Sequence, residues 1–199
     1  MPKSALRRGF KTEAEEYAKE FRKELKLEED APLCPRRLAE HLAIPVFPLR
    51  HFQDSIPEAV ACLHGRERAA FSAATVFNGR RRAIVYNDAN VPGRQANDIM
   101  HEVAHCILDH PQRPPLSESG CRNFDPLLEN EAGHLGSTLL VPKPAALRIL
   151  WRGISLTQAA LEYGVSEAVI KMQLNLTGAR FIVDRTRARR GHSGQHLQR

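Results

Sequence analysis

Between Thr12 and Lys26 the apolar residues Ala14, Tyr17, Ala18, Phe21 and Leu25 recur at intervals of three and four, with Glu, Lys and Arg between them. That period predicts an amphipathic helix. A second, shorter helix is expected from Pro35, which suits a first-turn position, with Leu38 and Leu42 on one face. Pro45 and Pro48 then bracket an extended VFPL. From Ala70 to Asp88 the pattern changes to β: a Phe71–Phe77 run carrying Thr, Val and two Phe, an Asn78-Gly79 turn, and AIVYN returning from Ala83 predict a hairpin. After Pro92 the segment GRQANDIMHEVAHCILDH reads as a helix ending near His110, because Pro111, Pro114 and Pro115 cannot continue it. The loop to Asp125 is irregular. A helix over PLLENEAGHLGSTLL is expected to open with Pro126 after a capping Asp125 and to stop at Pro142 and Pro144. Three short helices broken at Gly153 and Gly164 should follow from Ala145. Helices, a small β-hairpin sheet and more helices make an α+β fold.

Composition narrows the class of protein. With 199 residues, 42% hydrophobic and 26% charged, the chain falls among ordinary globular domains. No run approaches the roughly 18 apolar residues of a membrane span, and MPKSALRRGF is followed by acidic residues rather than an apolar signal core, so a cytoplasmic protein without membrane contact is expected. Cys34, Cys62, Cys106 and Cys121 form no CxxC pair and are read as reduced, mostly buried thiols. From Arg180 to Arg199 six arginines face only Asp184, so +5 of the +6 net charge sits in the last twenty residues. Residues 10–178 are expected to form the domain and 179–199 a disordered basic tail with, at most, nonspecific phosphate affinity.

His101, Glu102, Val103, Ala104 and His105 form an HExxH motif. Two His four residues apart project from one helix face and can both reach one metal ion, while Glu102 lies beside that face, placed to act as general base on the attacking water. Ile99, Met100, Val103, Ala104, Ile107 and Leu108 bury this helix, where hydrogen-bonded core histidines are the alternative reading. A catalytic zinc needs a third protein ligand. Asp109 and His110 lie on the same helix, and with no glycine bend after His105 the chain is not expected to fold back. The next helix offers Glu129 and Glu131, about 200° apart around its axis, so only one faces the site. Glu131 shares the core face with Leu128, Leu135 and Leu139 and is the expected ligand; Glu129 is then a first-turn carboxylate or an outer partner of the site. Asp98, one turn before His101, is a candidate to orient a ligating imidazole, or a plain helix-start Asp. Tyr86 could steady an oxyanion or simply pack, and His134 is surface polar or close to the third ligand.

These segments, AIVYND…GRQANDIMHEVAHCILDH followed by LENEAGHLGSTLLVP, resemble the ImmA/IrrE family of zinc metallopeptidases, in which HExxH is followed by a helix of the form ExEAxxFAxxLLMP. Glu129, Glu131, Ala132, Leu139, Leu140 and Pro142 match, and Leu135, Gly136 and Val141 replace the usual Phe, Ala and Met. The similarity extends upstream to PRRLAEHLAIPVFPL and downstream to about Gly178. It implies a compact zincin-like fold of the gluzincin sort, zinc on His101, His105 and Glu131, Glu102 as base, and, as in several members, a helix-turn-helix repressor as protein substrate.

Two other functions compete. The segment 156–177, LTQAALEYGVSEAVIKMQLNLT, imitates a helix-turn-helix, although the second helix carries only Lys171 as a basic residue and Glu167 at its start, so a core-packing pair is expected over a DNA reader. A zinc-bound, non-catalytic interaction module would use the same ligands as an enzyme.

Overall fold

The computed structural model describes residues 6–79, 81–111 and 125–195. The irregular loop and Cys121 lie outside the described residues. The chain runs α1 (Phe10–Glu24), α2 (Pro35–His41), β1 (Val46–Pro48), α3 (Pro57–His64), β2 (Ala73–Asn78), β3 (Arg81–Tyr86), α4 (Pro92–Ile107), α5 (Pro126–Leu140), α6 (Lys143–Arg152), α7 (Leu156–Tyr163), α8 (Glu167–Leu176) and α9 (Ala179–Gln195), an α+β fold compatible with a compact zincin. The sheet has the order β1-β3-β2, with Val46 opposite Ile84 in a parallel pair and Thr75 opposite Ile84 in the antiparallel hairpin. Asn78 still pairs with Arg81, so the hairpin turns one residue later than expected, at Gly79, whose φ of 59° suits glycine.

α4 and α5 form the centre. Ile99, Met100, Val103 and Ala104 of α4 meet Ala132, Leu135, Leu139 and Leu140 of α5, all almost completely buried. The two backbones approach closely where Gly136 faces the Met100 carbonyl: a Cβ there would lie 3.2 Å from that oxygen. On the other side α5 packs on α1 through Phe10, Ala14 and Ala18. The guanidinium of Arg22, 0% exposed, donates to the carbonyls of Ala18 (3.1 Å), Ala31 (2.9 Å) and Leu139 (2.8 Å), so it satisfies an end-of-helix carbonyl of α5 from within α1. Burial pulls its pKa down to about 10. The helix period had placed Arg22 among the polar positions of an amphipathic face; instead its head group is a structural donor.

Two elements depart from expectation. α3 is absent from the sequence reading because Val60 alone of its eight residues is buried, so it has no periodic face to detect. Of the expected tail, residues 179–195 form α9, and 196–199 lie outside the described residues: Ala179 and Val183, four apart, are buried, and Arg187 donates to the Leu150 carbonyl (3.0 Å) with its guanidinium over the Trp151 ring. Counting charge had hidden this narrow apolar strip. The helices α6, α7 and α8 end at Gly153, Gly164 and Gly178, each with φ between 64° and 69°. The α7–α8 turn sits against the start of α4, where a Cβ on Gly93 would come within 3.0 Å of the Val165 carbonyl carbon. Ile170, Gln173 and Leu174 of α8 are buried, so this pair packs into the domain.

The end of β3 is tied down by Asp88. Its carboxylate accepts from the Arg50 backbone N–H (3.1 Å), pairs with Arg50 Nε (2.6 Å) and lies 3.1 Å from His64 Nε2. Burial pushes this carboxyl up, but the backbone N–H groups and His64 outweigh it, and the net shift is below the ordinary value. A depressed folded pKa stabilises above the unfolded value of about 4 and ceases to do so as pH falls through the folded one. Asp88→Asn is therefore expected to cost about 1–3 kcal/mol at pH 7, with the gap to the wild type narrowing below pH of about 4. Urea midpoints at several pH values check it; an undiminished gap in acid would show that shape rather than charge matters there.

Candidate metal centre

His101 and His105 lie one turn apart on α4, with ring centroids 4.7 Å apart and the rings at 74°. Their Nε2 atoms face each other at 3.1 Å. The first turn of α5, opened by Pro126 and capped by Asp125, whose side chain accepts from Leu127 N, brings Glu129 to the same point. Its Oε2 lies 3.2 Å from His101 Nε2 and its Oε1 3.7 Å from His105 Nε2. Tetrahedral ligands at about 2.0–2.2 Å from a zinc ion stand about 3.3–3.5 Å from one another. The nearest donor atoms of the three side chains, 3.1–3.7 Å apart, thus stand close to that spacing, and the residues fit a divalent cation. The electrostatics agree. The imidazoles of His101 and then His105 beside it hold the Glu129 carboxyl well below the usual range. Burial lowers the His101 pKa, but Glu129, Glu102 and Asp98 together raise it further than burial lowers it. The three side chains are 20–36% exposed, so the cluster opens to solvent on one side, as a catalytic metal requires.

The two carboxylates of α5 have exchanged the places expected of them. Glu131 does face inward and is 5% exposed, but inward is away from the histidine pair: its Oε1 lies 3.0 Å from Arg7 Nε and its Oε2 4.0 Å from His110 Nε2. The expectation equated the core face with the metal face. Glu129, 36% exposed at the rim, is the carboxylate that the structure brings to the histidine pair.

α4 also ends sooner than expected and turns back. Asp109 adopts a left-handed φ of 48°, its N–H bonds to the Cys106 carbonyl (3.3 Å) and that of His110 to the His105 carbonyl (3.1 Å). This is the paired closure that glycine normally provides; Asp is among the few other residues that tolerate it. The turn folds His110 back until its Nδ1 lies 2.8 Å from His105 Nδ1.

Glu102 projects toward the sheet, where Thr75 Oγ1 of β2 donates to its Oε2 (2.6 Å). The sequence reading missed Thr75, and nothing singles out this one threonine of β2 before the strand is docked on α4. Asp98, its carboxyl raised by burial, has Oδ2 3.6 Å from Arg94 Nε; among the described residues it makes no hydrogen bond to either imidazole of the pair. Tyr86 is a packing residue, buried under the Arg36 guanidinium, whose Nη2 donates to its hydroxyl (2.6 Å). His134 lies beside the Phe10 ring and lines a cavity of about 550 Å³ between α1, α5, α6 and α8 that none of the three clustered residues reaches. Of the three cysteines described, Cys106 is buried, Cys62 intermediate and Cys34 exposed, so the thiols are less buried than expected; all three are free.

Residues 64–175, which hold both motif helices and extend from the end of α3 through most of α8, match the model of the IrrE N-terminal-like domain, a peptidase family. The chain belongs to this family. Membership implies a metallopeptidase activity, and the clustered His101, His105 and Glu129 supply a place for its metal. Searches of curated proteins and of solved structures find no significant match. No helix among the described residues is long and apolar enough to cross a membrane.

Proposed function

We propose that this chain is a zinc-dependent endopeptidase that cuts a regulatory protein, a helix-turn-helix repressor being the substrate class that the ImmA/IrrE resemblance implies, and that it acts in the cytoplasm. The observation that carries the reading is the meeting of two imidazole Nε2 atoms and one ionised carboxylate at ligand spacing, with a further carboxylate beside them that is not part of the set. His101, His105 and Glu129 would hold the ion. Zinc, when bound, supplies a Lewis acid for the scissile carbonyl and makes water more acidic. Glu102 takes the proton of the attacking water and returns it to the leaving amine. Thr75 holds one oxygen of Glu102, which fixes the carboxylate plane and leaves the other oxygen for the proton. Free Cys34, Cys62 and Cys106 suit a reducing compartment.

Co-expression with a helix-turn-helix repressor tests the substrate. Two fragments, with a defined junction by mass spectrometry, are expected with the wild type and an intact repressor with His101→Ala. A repressor recovered whole beside zinc-loaded wild type would remove that substrate class.

A further inference from the structure

The imidazole of His105 has a partner on each nitrogen. Nε2 faces His101 and Glu129, and Nδ1 lies 2.8 Å from Nδ1 of His110. We propose that His110, backed by Glu131, is a positioning residue for His105: it accepts the Nδ1–H of His105 and thereby holds the ring in the tautomer and orientation that offer Nε2 to the cation. The inference rests on the reading of His101, His105 and Glu129 as the ligand set.

Two neutral imidazoles joined through their Nδ1 atoms share one proton, so one ring donates and the other accepts. What His110 meets on its far side decides the direction. Its Nε2 is 4.0 Å from Oε2 of Glu131, and the two side chains are only 8% and 6% exposed. A carboxylate on that side favours the hydrogen on Nε2 of His110, which leaves its Nδ1 as the acceptor and makes His105 the donor. Arg7 Nε, 3.0 Å from the other Glu131 oxygen, gives this buried carboxylate the charge partner it requires. The arrangement is built by the backbone: the left-handed turn at Asp109 is what returns His110 to the ring five residues before it. It also gives separate duties to the two carboxylates of α5, one to the ion and one to the histidine behind a ligand. Fixing a ligand's tautomer through its second nitrogen is worth about 10–100-fold in metal affinity.

His110→Phe keeps an aromatic ring and removes the acceptor. Zinc affinity, read by competition with a chromophoric chelator, is expected to fall by about 10–100-fold. His110→Asn, whose Oδ1 stands where Nδ1 stood, should recover most of it, which a loss of packing alone would not allow. Nitrogen-15 NMR of the zinc-free protein gives a readout independent of the metal: His105 should be held as the Nδ1–H tautomer in the wild type and become a mixture in His110→Phe. Should that variant not fold, Glu131→Gln, which keeps His110 and removes the charge facing Nε2, should still shift His105 toward the mixture. Zinc affinity in a folded His110→Phe within about threefold of wild type, below the range for such partners, or a His105 tautomer unmoved by either variant, would overturn the proposal. Failure of the ligand reading looks different: the wild type would bind no zinc, or His105→Ala would bind it as well as the wild type does.

Discussion

Glu102→Gln is expected to keep zinc on the protein and to slow peptide cleavage by roughly 10²–10⁴-fold, the usual contribution of a general base. Glutamine has the volume of glutamate and retains an oxygen to accept from Thr75 Oγ1, so the strand-to-helix contact survives while the proton acceptor is lost. Glu102 is outside the three clustered donors, which is why the metal should stay. His101→Ala should lose metal and activity together. The pair of variants also separates an enzyme from a sequestering module. A partner that is merely titrated would be inhibited as well by Glu102→Gln as by the wild type; full relief of repression by that variant, with the partner uncut, would defeat the enzymatic reading.

Glu129→Ala should empty the site at zinc concentrations that saturate the wild type, because two imidazoles alone remain to hold the ion. The loss should exceed the roughly 10–100-fold attached to partners behind the ligands, and Glu131→Ala should fall within that smaller range. The contrast follows from distance: Glu129 oxygens lie 3.2 Å and 3.7 Å from the two Nε2 atoms, whereas Glu131 meets Arg7 and His110. Zinc content of the two purified variants, each checked for cooperative unfolding, decides between them. The reverse order would return the third-ligand role to the core-facing carboxylate.

The legible parts of this molecule were those governed by one helix or one hairpin. HExxH, the Pro92 and Pro126 starts, the Asp125 cap and the Gly153 and Gly164 stops act over a few residues, and each stands where the pattern put it. What pattern could not supply is how elements face each other. Knowing that Glu129 and Glu131 diverge by about 200° leaves open which side of α5 meets α4; burial favoured Glu131, whereas Glu129 is the one brought to the histidine pair. Thr75 and Arg22 have the same origin: each matters through a partner on another element, Glu102 in one case and the Leu139 carbonyl in the other. The turn at Asp109 failed for a different reason, since it uses a residue that tolerates the left-handed region less readily than glycine does.

The contacts of Arg22 bear on where the smallest autonomous piece of this protein could be cut. The stretch that carries the family's motifs spans residues 64–175, and by motif alone it contains everything needed for the chemistry. Yet the far end of α5 is held by a guanidinium contributed from α1, one flank of α5 is covered by Phe10, Ala14 and Ala18, and the charge partner of Glu131 is Arg7, all earlier in the chain. Excised, the motif segment would expose that flank of α5 to water and leave Glu131 without its cation. In this protein the recognisable sequence and the packing of the helix that bears Glu129 therefore have different boundaries: residues 64–175 carry the motifs, while the cover and the cations for that helix come from Arg7 and α1.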